Sequence, residues 1–105
     1  MAKEQDYQSK IVKALENRLD AYTVKVITAS KRGVPDIIAC IPFDKADIEE
    51  LFREQDTIGV FVAIEVKTPS TMNNTSKLQD WNILQINERG GIAKVAWSVD
   101  DALKL

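Results

Sequence analysis

Histidine is absent from the 105 residues, and cysteine occurs once. The absence of histidine excludes Ser-His-Asp and Cys-His catalysis. With a single Cys it also excludes a structural zinc site, which draws its four ligands mainly from those two residue types. What remains for chemistry is carboxylates, lysines and an oxygen-liganded metal. Cys40 stands in the apolar run DIIACI and has no partner for an internal disulfide, so it is expected to pack as a small hydrophobe in a strand. Glycine and proline are scarce, at four and three residues, which argues against a disordered or low-complexity chain. No apolar run approaches the roughly 20 residues needed to span a bilayer. The opening MAKEQDYQSK is polar where a signal peptide turns hydrophobic, so the expected location is the cytoplasm.

The length fits one domain, expected over residues 1–105, and with it one active site per chain. Net charge is −2, which taken alone argues against a nucleic-acid partner, because phosphate binding draws on a basic surface. The distribution weakens that argument. Residues 42–57, PFDKADIEELFREQDT, hold six acids and two bases, so the rest of the chain is net positive. Lys25, Lys31, Arg32, Lys67 and Lys77 all lie near the motifs described next.

Along the chain, Gln8, Ile11, Val12, Leu15 and Leu19 recur at helical spacing and predict an amphipathic helix over Glu4 to Leu19. TVKVIT at 23–28 alternates and is β-branched, predicting a half-buried strand that runs into the basic turn Ser30-Lys31-Arg32-Gly33. PDIIACI at 35–41 predicts a buried strand. In 44–55, Ile48, Leu51 and Phe52 give a short, acidic helical segment with a narrow apolar stripe. GVFVAIEVK at 59–67 is nearly continuous in apolar residues and predicts a central strand covered on both faces. A Ser/Thr/Asn loop follows Pro69. Asn73-Asn74-Thr75 and Asn74-Thr75-Ser76 match the glycosylation pattern there, but in a chain expected to stay in the cytoplasm they mark only a polar loop. A helix from about Ser76 to Arg89, the turn Gly90-Gly91, a strand at 92–97, and a C-terminal helix opened by Ser98 and Asp101 complete the order.

The chemistry concentrates on one strand. Side chains alternate faces, so Phe61, Ala63, Glu65 and Lys67 share one face while Val60, Val62, Ile64 and Val66 share the other. Glu65 and Lys67 therefore point the same way from the end of the most apolar strand. They read either as a solvated strand end or as a site, and burying them unpaired would be costly. Asp36 opens the neighbouring strand after Pro35, where its carboxylate could join Glu65 on one hard cation. Mg²⁺ asks for little more than one or two carboxylates, waters and a substrate phosphate. Lys67 would then orient or deprotonate the attacking water, or stabilise charge in the transition state.

Gly33-Val34-Pro35-Asp36 followed by Glu65-Val66-Lys67 resembles the PD-(D/E)xK nuclease motif, and the surrounding pattern resembles the VRR-NUC family of stand-alone, phage-type nucleases. The basic turn into Gly-Val-Pro-Asp, the apolar strand into Glu-Val-Lys-Thr, and Gln79 in the following helix carry the resemblance over nearly the whole chain. It implies an α/β, restriction-endonuclease-like fold with a mixed central sheet flanked by helices. It implies Mg²⁺ or Mn²⁺ held by Asp36, Glu65 and the backbone carbonyl of Val66, with Lys67 catalytic. Gln79, Lys77, Lys31 and Arg32 become substrate-side residues, although Gln79 also fits a plain exposed helix position. The implied activity is DNA endonuclease cleavage, selective for branched substrates such as Holliday junctions and carried out by a homodimer, with a viral or mobile-element origin.

Two departures qualify the match. The family pattern has a glutamate on the first helix that reaches the metal, and Gln8 stands at the best-matching position, with Glu4 as the alternative one turn earlier; Glu16 lies on another stripe. An amide oxygen can ligate a metal but brings no charge. The acidic helical insertion at 42–57 replaces a short turn, and reads as a dimer surface, a partner site, a guard against duplex approach, or a solvated decoration. Flap, nick or duplex cleavage by the same site remains open, as does a non-catalytic nucleic-acid-binding role on the same fold.

Overall fold

The computed structural model describes residues 3–70 and 76–105. The two glycosylation-like triplets, Ser76 apart, and most of the polar loop after Pro69 lie outside the described residues. The chain divides into two compact units, Met1–Pro42 and Phe43–Leu105.

The first unit holds α1 (Glu4–Leu19), β1 (Tyr22–Lys25) and β2 (Ile37–Cys40). Asp6 receives the Lys3 N–H at 3.2 Å where α1 begins, and acids in this first turn suit the positive end of the helix dipole. The helix ends where Asp20 adopts φ 54°, and the Ala21 N–H returns to the Leu15 carbonyl at 3.2 Å. A short polar side chain tolerates that left-handed conformation better than a bulky one. α1 packs on β1, and β1 pairs antiparallel with β2 from Tyr22↔Cys40 to Lys25↔Ile37. Ala21 and Cys40 are the buried residues here. Cys40 is a free, buried thiol, as its setting in the sequence implied. Gly33 closes the basic turn at φ +74°, which glycine adopts without a Cβ penalty.

The second unit holds α2 (Lys45–Phe52), β3 (Val62–Val66), α3 (Lys77–Glu88), β4 (Ile92–Ala96) and α4 (Val99–Leu103). The acidic insertion is helical because Asp44 and Asp47 form a reciprocal capping box, at 2.9 and 3.1 Å. β3 and β4 run parallel, in register from Val62↔Ile92 to Val66↔Ala96, with α3 as the crossover between them. Both α3 and α4 pack on β4, and Ile86, Ala93 and Ala96 are the buried apolar residues. Asn87 on α3 pins β4 by donating to the Ala93 carbonyl at 3.0 Å and accepting from the Ala93 N–H at 2.8 Å. Lys94 donates to the Asp101 and Lys104 carbonyls at the C-terminal end of α4, which complements the helix dipole there.

Element order and type follow the sequence reading, and the protein is α/β. Two expectations change. The single mixed central sheet is replaced, among the described residues, by one antiparallel and one parallel two-stranded ladder. Residues 41–61 separate β2 from β3 and include α2, whereas a hairpin return needs only about two to five residues. In addition, β3 is not fully enclosed on both faces: Val62, Ile64 and Val66 are 37%, 39% and 71% exposed. A long apolar run signals a strand or a buried helix segment, but it cannot say whether both faces find neighbours.

Candidate active site

The site is assembled within the second unit, at the carboxyl ends of its parallel strands. The sequence alternation places Ala63, Glu65 and Lys67 on one side, and that is the covered side: Lys67 is 5% exposed, while the Glu65 side chain keeps 36% of its surface in contact with solvent. The Lys67 backbone N–H continues the ladder onto the Ala96 carbonyl at 2.9 Å, which fixes its position relative to β4.

Gln79, on the first turn of α3, connects the two charges. Its Nε2 donates to Glu65 Oε1 at 2.7 Å, and its Oε1 accepts from Lys67 Nζ at 3.3 Å. Lys67 Nζ lies 3.8 Å from Glu65 Oε1. The amide can be seated only one way round, since the reversed group would set an oxygen against the carboxylate and an NH₂ against the ammonium. A buried ammonium is thus met by a carboxylate and a polar carbonyl, the pairing that makes burial of a charge tolerable. Gln79 is more than the exposed helix residue its position also allowed.

The helix terminus holds Gln79 in turn. Ser76 is the N-cap of α3, its Oγ accepts from the Gln79 N–H at 3.0 Å, and its own N–H reaches Gln79 Oε1 at 3.4 Å. Ser76 was not singled out from the sequence as part of the site. The signal was present as Ser-x-x-Gln, the spacing of a capping box; here the same glutamine serves the helix end and the charged pair.

The ladder also decides which backbone groups are open. Successive residues of a strand direct their N–H and C=O groups to opposite edges. Because the Lys67 N–H faces β4, the Val66 carbonyl faces the other edge, which no strand of the described residues occupies. Glu65 and the Val66 carbonyl are hard oxygen donors, of the type Mg²⁺ and Mn²⁺ accept. Among the described residues no group of three or more His, Cys, Asp or Glu side chains gathers, so a metal here would rely on few protein ligands, with water and phosphate oxygens completing its shell.

Of the other sequence candidates, Lys77 is exposed at the start of α3. Asp36, Gln8, Lys31 and Arg32 belong to the first unit. There, Asp36 is exposed just before β2, with its carbonyl accepting from the Val26 N–H at 2.9 Å. Gln8 is half-buried on α1, on the stripe shared by Val12 and Leu15, while Lys31 and Arg32 are exposed in the basic turn. No helix of the described residues is long and apolar enough to cross a membrane. Comparison of the chain with protein-family models, with characterised proteins and with solved structures finds no match.

Proposed function

We propose that the protein is a metal-dependent DNA endonuclease of the PD-(D/E)xK type, most similar to the VRR-NUC pattern. The observation that supports this most directly is the Glu65–Gln79–Lys67 cluster, in which a carboxylate is left partly open to solvent while the lysine behind it is held by the same glutamine. A solvated strand end would leave both charges in water and would not enlist a helix cap to orient them.

In this reading Glu65 and the Val66 carbonyl hold Mg²⁺ or Mn²⁺, with Asp36 as the motif's other carboxylate and Gln8 as a neutral contributor. The metal, when bound, supplies positive charge that polarises a phosphodiester and lowers the pKa of a coordinated water. Lys67 places an ammonium beside the carboxylate, where it stabilises negative charge developing on the phosphate oxygens and orients the water for in-line attack. Gln79 keeps Glu65 and Lys67 in register with each other, and it restricts the rotamers available to both. Lys77, Lys31 and Arg32 contribute phosphate contacts that position the nucleic acid. One site cuts one strand, so paired cuts across a branched substrate such as a Holliday junction call for a symmetric homodimer.

A panel of labelled four-way junctions, flaps, nicked and continuous duplexes, each with Mg²⁺ and with Mn²⁺, tests the activity and names the substrate. The Asp36→Ala protein is expected to lose cleavage by about 10³-fold or more while keeping the melting temperature of the parent; equal cleavage by this variant sinks the assignment. A second reading is favoured by Gln8, whose neutral amide stands where the pattern has a carboxylate: a nucleic-acid-binding protein without cleavage. Binding of the panel with no product in either metal would establish it.

A further inference from the structure

We propose that Trp97 is a stacking platform for an unpaired nucleobase flanking the phosphate held at Glu65 and Lys67, which makes DNA with single-stranded character the preferred substrate class. The inference rests on the nuclease reading above and goes beyond it by naming what the site recognises next to the bond it cuts.

Three observations carry it. The register ends at Val66↔Ala96 and is followed by the bond from the Lys67 N–H to the Ala96 carbonyl, so Lys67 and Trp97 are the first residues past the carboxyl ends of the two paired parallel strands. Paired strands lie about 4.8 Å apart, and a nucleotide's base is one sugar away from its phosphate, so an aromatic ring here is within reach of the base beside a phosphate at Lys67. Ligands of parallel α/β sheets bind outside the carboxyl ends of the strands, which is where both residues stand.

Trp97 is also exposed and firmly mounted. It is 52% accessible, while its backbone N–H is held by the Asp101 carboxylate at 3.1 Å and the Asp101 N–H is capped by Ser98 Oγ at 3.1 Å. Lys94 ties down the far end of the same short helix. A ring presented from a fixed backbone loses little entropy on stacking. Finally, the neighbours are acidic: Asp100 and Asp101 follow at once. They repel a phosphate, so what approaches Trp97 is the uncharged face of a base and not the backbone.

Trp81 is equally exposed, at 54%, but does not share this placement. It lies two residues beyond Gln79 on α3, which at 3.6 residues per turn is about 200° round the helix and away from the charged cluster. It therefore provides the control.

Trp81→Phe leaves Trp97 as the sole tryptophan reporter in the full chain. In Ca²⁺, a fluorescein-labelled oligothymidylate is titrated against this protein, with anisotropy reading binding and tryptophan emission reading Trp97; a continuous duplex of equal length is the second arm. The expected result is quenching by the single strand that the duplex does not match. Trp97→Ala should weaken single-strand binding, and cleavage beside unpaired bases in Mg²⁺, by about tenfold, with Trp97→Phe restoring most of the loss and duplex affected less than about twofold. Single-strand binding with unchanged Trp97 emission, or equal binding by Trp97→Ala at an unchanged melting temperature, overturns the stacking role while leaving metal-dependent cleavage standing. Binding and quenching without cleavage in any metal would instead support the stacking role and remove the nuclease. Failure of every nucleic acid to bind or be cut overturns both.

Discussion

Around β3, the charged side of the alternation ends in Lys67, 5% exposed beside a Glu65 side chain at 36%, while the apolar side, Val60, Val62, Ile64 and Val66, is 37% to 71% exposed. Hydrophobic burial alone would turn the strand the other way. What distinguishes the two faces is the quality of the partners each can find. The charged face meets Gln79 of α3, whose amide satisfies a carboxylate and an ammonium together. Charge can be covered when each group is paired, as Glu65, Gln79 and Lys67 are.

The comparison breaks first at Lys67. If the covered face exists for chemistry, Lys67→Met, which keeps the volume and removes the charge, is expected to lower cleavage by about 10³-fold and to lower stability by a few kcal/mol at most, since the paired Glu65 retains Gln79. Cleavage at the parental rate on the same DNA panel would reduce the face to an ordinary ion pair. Its partner test is Gln79→Glu, which sets a carboxylate against Glu65 in place of a donated hydrogen bond. Cleavage should fall by about 10- to 100-fold with a clear drop in melting temperature, whereas a Gln79 of no consequence would leave both unmoved.

A smaller effect concerns the charge of the proposed metal site, where Gln8 stands at the position that has a glutamate in the family pattern. Gln8→Glu supplies the charge that the family pattern has on the first helix, so half-maximal cleavage is expected at a several-fold lower Mn²⁺ concentration. An unchanged Mn²⁺ requirement together with a lower melting temperature would mark Gln8 as a packing residue only. The smallest effect is expected on the more exposed face: Val60→Thr, at a position 60% exposed, should shift stability by no more than about 0.5 kcal/mol, as surface substitutions do, and should raise solubility. A loss of several kcal/mol in chemical denaturation would mean that this face is covered in solution.

Much of this arrangement was legible beforehand. The extent of α1 follows from its apolar spacing, and the helical character of the acidic insertion from Ile48, Leu51 and Phe52. The alternation of Glu65 and Lys67 against the valines followed from period two alone. What pattern did not disclose was direction and company. Period two says which residues share a face but not which face is inward, and the nearly continuous apolar run led to the expectation that β3 is covered on both. Gln79 could be placed on a helix, yet its contact with Glu65 joins positions 14 residues apart, a separation that local spacing does not address.

By itself, the sequence determined the inventory: no histidine, one cysteine, alternating charges on an apolar strand, and Pro35-Asp36 preceding Glu65-Val66-Lys67. These are properties of residue type and order, and local sterics convert them into helices and strands. Only the tertiary structure decided that Lys67 is enclosed, that Gln79 seats both charges, and that Ser76 holds Gln79. It also turned the Val66 carbonyl away from β4, to an edge that no strand of the described residues occupies. The parallel pairing of β3 with β4 and the docking of α3 produce all four, because burial and hydrogen-bond direction are set by neighbours distant in the chain.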